Sequence, residues 1–145
     1  MNTPTSRAAV VERRVPHSLD KVWRALTQGP LLEAWLMAND FEPVVGHRFT
    51  FRMPAMQGWN GVTDSEVLSV VPQRELSYTW NASGDEAADG LKTVVTWTLE
   101  QQADGVLVRM EQSGFRPQDQ RNEMGAKYGW ERNLGRLEAV VAALA

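Results

Sequence analysis

From Leu76 to Leu99 the chain reads LSYTWNASGDEAADGLKTVVTWTL. Large apolar residues fall at every second position on both sides of a polar middle: Leu76, Tyr78 and Trp80 first, then Val95, Trp97 and Leu99. A period of two puts one set of side chains on one face of a strand, so the pattern predicts two half-buried strands joined as a hairpin. The alternation resumes in Val106, Val108, Met110 and Gln112 after a turn at Ala103-Asp104-Gly105. Closing this second hairpin about Ala103-Asp104 sets Trp97 opposite Met110 and Val95 opposite Gln112. Closing the first about 83–88 sets Tyr78 beside Val95, so Tyr78, Val95 and Gln112 form one row across a sheet.

Upstream, residues 7–15 predict a strand ended by Pro16. Ser18 caps a short helix over 19–27, with Asp20 favourable in its first turn. Gly29-Pro30 stops that helix, and Pro30 opens a second over 31–36; Trp23 and Trp35 are expected to anchor the pair. Strands follow over 44–53, 59–71 and 75–81, the second slipping in alternation at Val67-Leu68 as a bulge would make it. The acidic, small-residued stretch 82–91 is expected to be a mobile loop outside the core.

The tail changes period. Trp130, Leu134, Leu137, Val141 and Leu144 share one helical face behind an N-cap at Asp119. Gly125, Gly129 and Gly135 each cost the helix about 1 kcal/mol, which predicts close packing of the helix against something. The order is strand, two short helices, a meander, and one long C-terminal helix. It defines an α+β, two-layer domain with helices on one face of an antiparallel sheet of about six strands. One helix cannot cover a curved sheet completely, so a cavity is expected between them.

Composition narrows the chemistry. The 145 residues are read as one domain, 1–145, with 1–6 loose. No apolar run approaches the ~20 residues that cross a bilayer, and the N-terminus lacks a secretory signal pattern. The absence of cysteine excludes disulfides, thiolate nucleophiles and cysteine-based zinc sites, and points to the cytoplasm. A net charge of −3 without a basic stripe argues against nucleic acid as a partner. There is no Gly-x-Ser-x-Gly elbow, and the two histidines, His17 and His47, fall at a strand end and a turn. Asp85, Glu86 and Asp89 cluster in the 82–91 loop, where solvation accounts for them. No metal or cofactor is expected.

The segments DKVWRALT, LLEAWLM, FEPVVGHRFTFR, GWNG, TVVTWTLE, MEQSGF and YGWERNLGRLEAVV resemble, in order, those of the activator of heat-shock-protein-90 ATPase homologue family. That family belongs to the START-like (SRPBCC) superfamily. The resemblance implies its helix-grip fold, shared with the birch-pollen allergen and polyketide cyclases: a curved sheet gripping the C-terminal helix around an apolar cavity. Where many members have Glu-His-Ser-Gly-Phe, this chain has Glu111-Gln112-Ser113-Gly114-Phe115, so an amide replaces a titratable imidazole.

Phe49, Phe51, Tyr78, Trp80, Val95, Trp97, Met110, Gln112, Trp130 and Leu134 are the candidate lining of that cavity. Packed solidly, the same aromatic residues would instead make a filled core, with Tyr78 and Gln112 satisfying each other or the backbone. The functional expectation is a protein that binds a small hydrophobic molecule without a cofactor, as a monomer or homodimer, away from membranes. The alternatives are a chaperone-interacting module, which the resemblance suggests, and a cyclase or hydrolase in which Tyr78 and Gln112 orient a substrate.

Overall fold

The hairpins form with the expected register in the computed structural model, which describes residues 7–56 and 59–144. Residues 1–6, read above as loose, lie outside this range. The chain runs β1 (Arg7–Val15), α1 (Leu19–Thr27), α2 (Gly29–Trp35), β2 (Ala38–Asn39) and β3 (Arg48–Arg52). It continues through β4 (Val62–Val71), β5 (Glu75–Ala82), β6 (Lys92–Gln102) and β7 (Gly105–Phe115) to α3 (Gln120–Ala142). The strands form a single curved antiparallel sheet in the order β1-β7-β6-β5-β4-β3-β2. Seven strands stand where about six were expected; the addition is two-residue β2, too short to carry an alternation pattern.

Parity is obeyed throughout the central hairpins. Trp97 pairs with Met110, Val95 with Gln112, and Tyr78 with Val95. The slip foreseen at Val67-Leu68 is a register shift between Val67 and Ser69. Other boundaries move. The strand expected from 44 begins at Arg48, because Gly46 turns the chain at φ +90° and leaves Val44 and Val45 exposed. The strand expected from 59 begins at Val62, after an isolated bridge between Met56 and Trp59.

The β6–β7 turn needs its glycine for space, since a Cβ on Gly105 would stand 2.2 Å from the Val15 carbonyl oxygen. Gly114, at φ +102°, serves a different purpose. It occupies a bulge in β7 where pairing with β1 jumps from Ala8–Ser113 to Arg7–Phe115. Strict alternation from Gln112 would turn Phe115 outward; the extra residue returns it to the interior, where it is fully buried.

Helices α1 and α2 form a corner closing one side of the sheet. Ser18 accepts the Lys21 N–H at 3.2 Å, as a cap should. Buried Trp35 donates its indole N–H to the Ala25 carbonyl at 2.9 Å, locking α2 onto α1. The C-terminal half of α3 buries Trp130, Leu134, Leu137 and Val141 on this framework, whereas Leu144 lies past the helix end and is half-buried. Leu137 is fully buried in the continuous core. Leu137→Ala is expected to cost about 2–5 kcal/mol, read as a lowered urea midpoint at unchanged m-value.

Candidate functional site

The sheet and α3 diverge at one end, and a partly open cavity of about 820 Å³ fills the gap. Its walls come from the strand ends that meet there: Met53 after β3, Thr63 in β4, Trp80 to Ala82 in β5, Leu91 before β6, and Gln112 and Phe115 in β7. Leu36 and Met37 close one flank from the end of α2, and Met56 and Trp59 another. The N-terminal half of α3 crosses the remaining side with Arg121, Asn122, Gly125, Ala126, Gly129 and Asn133. No residue from 120 to 129 is buried. This stretch spans the hollow while Ala126 packs against the core and Glu123 pairs with Arg7 of β1 at 3.2 Å.

Of the expected lining, Trp80, Gln112 and Trp130 border this cavity. Phe49, Phe51, Tyr78, Val95, Trp97, Met110 and Leu134 belong instead to the packed core, which corrects the placement. The physical reason is depth along the strands. At mid-sheet, α2 brings Trp35 edge-on to Trp97 at 5.7 Å, while Tyr78 packs on Phe49 at 5.6 Å and on Phe51 at 5.7 Å. Aromatic pairs at such distances fill space efficiently. The Tyr78 hydroxyl accepts the Trp97 indole N–H at 3.0 Å. Burial holds its pKa well above the ordinary tyrosine value despite that bond. Tyr78 and Gln112 therefore do not satisfy each other.

Gln112 sits where core and cavity meet, only 2% exposed. Trp130 donates its indole N–H to Gln112 Oε1 at 2.8 Å. An indole nitrogen can only donate, so the amide oxygen must face α3 and its nitrogen the sheet. Gln112 Nε2 donates to Thr93 Oγ1 at 2.9 Å, and the Thr93 hydroxyl donates onward to the Trp80 carbonyl at 2.6 Å. The amide keeps one further N–H and one further lone pair at an otherwise largely apolar surface. It remains uncharged at every accessible pH.

One other expectation is overturned, and a second holds only in that residues 82–91 lie outside the apolar core. A Cβ on Gly125 or Gly129 would meet nothing within 4 Å, so these glycines border the hollow and are not pressed against a neighbour. The 82–91 segment is not a free loop. It contains a 3₁₀ turn (Gly84–Glu86), contributes Glu86, Asp89 and Gly90 to the cavity wall, and is held from both sides. Asn60 donates to the Ser83 carbonyl and hydroxyl at 3.3 and 3.2 Å, and Arg116 Nη2 to the Asp89 and Gly90 carbonyls at 3.0 and 3.2 Å. Arg116 is itself gripped by Asp119 through two guanidinium contacts of 2.8 Å. These bonds hold the Asp119 carboxyl below the usual carboxylate range.

Sequence reasoning missed Leu36, Met37, Met53, Met56, Phe115 and the small-residue face of α3. That face had a signal: Asn122, Gly125, Ala126, Gly129 and Asn133 follow the same helical spacing that continues as the apolar stripe. Small and amide side chains in register with a core stripe mark a helix face that looks into space. His47 bonds the Asp40 carbonyl at 2.9 Å and stacks beside Phe49, away from the cavity lining. Among the described residues no cluster of three or more His, Cys, Asp or Glu side chains is placed to hold a metal, and no helix is long and apolar enough to cross a membrane.

A curved antiparallel sheet gripping a long C-terminal helix, hollow at one end, is the START-like helix-grip class, a fold that often binds hydrophobic ligands. The profile of the Activator of Hsp90 ATPase homolog 1-like protein family matches residues 16–142, and the chain belongs to that family. Protein MLL2253 from Mesorhizobium loti is 48% identical, with 96% of this chain and 99% of that chain covered and a TM-score of 0.87. DynU16, a protein of the dynemicin biosynthetic locus, shares the fold at 24% identity and a TM-score of 0.78; the match covers 94% of this chain and 47% of that one. The Aha1 dimer from Colwellia psychrerythraea shares it at 20% identity and a TM-score of 0.77, with 93% and 96% covered. No curated protein matches the chain.

Two outcomes follow from the bonds that frame the cavity. Gln112→Leu strands the Trp130 indole N–H and should cost about 1–3 kcal/mol, measured by chemical denaturation. Because the folded-state pKa of Asp119 is depressed, its contribution to stability is present above the unfolded value of about 4 and lost as pH falls through the folded value. The stability difference between wild type and Asp119→Asn should therefore be full at neutral pH and shrink steadily under acid. A difference independent of pH would contradict the assignment.

Proposed function

We propose that this protein binds a small, uncharged, largely apolar molecule in the cavity between α3 and the sheet. The observation that carries this reading is Gln112. A buried amide with an unused N–H and an unused lone pair lies at the floor of a space of about 820 Å³ lined by aromatic and aliphatic side chains. Ligand sites typically combine such walls with a few convergent polar groups, at volumes of ~300–1,000 Å³. A hydroxyl or carbonyl on the ligand would complete the hydrogen bonding of Gln112 while its body rests on Trp80 and Trp130. The remaining amides, Asn81, Asn122 and Asn133, are also neutral, and the charged side chains Glu86, Asp89 and Arg121 are half-buried or exposed. That arrangement favours a neutral ligand. The family's fold and a structural neighbour from a biosynthetic locus agree with a small organic molecule as the occupant.

Nile red, an uncharged apolar dye, tests this directly. It should bind near one per chain, quench tryptophan emission, and show a negative heat-capacity change as apolar surface is enclosed. Gly129→Leu, which adds a side chain facing the hollow in a helical position, should abolish uptake while leaving the circular dichroism spectrum intact. Uptake unchanged in that variant would place the dye elsewhere and sink the proposal.

A further inference from the structure

The chain has six methionines and no cysteine, so thioethers are its only oxidisable sulfur. Their distribution is uneven. Met110 is completely buried in the core, while Met124 is 60% exposed on α3 and does not line the cavity. Met37, Met53 and Met56 all line it. Met53 and Met56 are 39% and 52% exposed, and Met37 is half-buried. The β2–β3 pairing of Ala38 with Arg52, extended by one step, sets Met37 beside Met53. Met56 is fixed nearby by reciprocal backbone bonds with Trp59, at 2.9 and 3.0 Å. Flexible, polarizable side chains are thus concentrated where one apolar wall meets solvent.

We propose that Met37, Met53 and Met56 form a modification site for hydrogen peroxide, and that their oxidation closes the cavity to apolar ligands; the second clause rests on the function proposed above. In each event a sulfur lone pair attacks one peroxide oxygen, and the S–O bond forms as the O–O bond breaks. The departing hydroxide takes the proton from the transferred oxygen and leaves as water. The thioether loses two electrons to become a sulfoxide, and the peroxide gains them. A sulfoxide oxygen is a strong acceptor that an apolar wall cannot satisfy. Water then solvates the wall, and an apolar guest must displace it.

Graded peroxide treatment of the native protein, followed by peptide mapping, should oxidise Met53, Met56 and Met124 well before Met110. Nile red affinity should fall about tenfold in step with sulfoxide at 53 and 56, and a methionine sulfoxide reductase should restore it. Met124→Leu should lose affinity as wild type does. The combined Met37→Leu, Met53→Leu, Met56→Leu variant should show the same dye affinity after peroxide as before it, whatever its starting value. Unchanged affinity with Met53 and Met56 oxidised, or an equal loss in the triple variant, overturns the proposal. If the reduced protein takes up no dye, the ligand reading fails by itself, and tryptophan emission still decides. Trp59, Trp80 and Trp130 share this cavity, so oxidation should shift their emission to the red in wild type but not in the triple variant. The absence of that shift rejects the site.

Discussion

One buried amide clamps the long helix to the middle of the sheet. Through Gln112 the indole of Trp130 on α3 is tied to Thr93 in β6 and onward to the backbone of β5. Its position divides the molecule. On the C-terminal side of the clamp, α3 buries Leu134, Leu137 and Val141 against a filled core. On the N-terminal side it borders the hollow and touches β1 through the Glu123–Arg7 ion pair at 3.2 Å. Hydrogen bonds formed away from water are stronger, and unmade ones more costly, so the clamp resists displacement of the helix from either direction. The cavity is an open space with one firmly set wall.

The aromatic residues beside that clamp form a continuous chain. Trp35 touches Trp97, Trp97 touches Trp130 at 5.5 Å, and Trp130 touches Trp80 at 5.1 Å. Trp80 in turn reaches Phe51 at 5.0 Å. The chain begins in the solid corner made by α2, borders the cavity at Trp130 and Trp80 and returns to the core at Phe51, so packing at mid-sheet supports the floor on which a ligand would rest. An imidazole in place of Gln112 would bring a charge to this floor under mild acid. The amide leaves it neutral.

Much of this was legible beforehand because it is local. Alternation set which faces of β5, β6 and β7 are buried, and symmetric closure of two hairpins gave the row Tyr78, Val95, Gln112. Family resemblance supplied the helix-grip arrangement, which periodicity alone could not. What stayed hidden is long-range or depends on position along a strand. Parity says that Tyr78 and Trp80 share a face, but not that the first meets Phe49 and the second meets open space. Alternation also cannot foresee that Gly114 inserts a bulge and turns Phe115 inward. The 82–91 segment looks free by composition, because the arginine that restrains it lies some 26 residues away.

The span of α3 between Asp119 and Trp130 has a consequence for how such a protein can change over evolutionary time. Positions 122, 125, 126 and 129 border the hollow, and none of them is buried. Most substitutions destabilise a fold through the core, yet Asn122, Gly125 and Gly129 lie outside it, and a Cβ added at either glycine meets nothing within 4 Å. Cavity shape can therefore drift under selection for different small molecules while the packing of the core stays unchanged. The molecule keeps its variable surface and its stabilising surface on successive turns of a single helix.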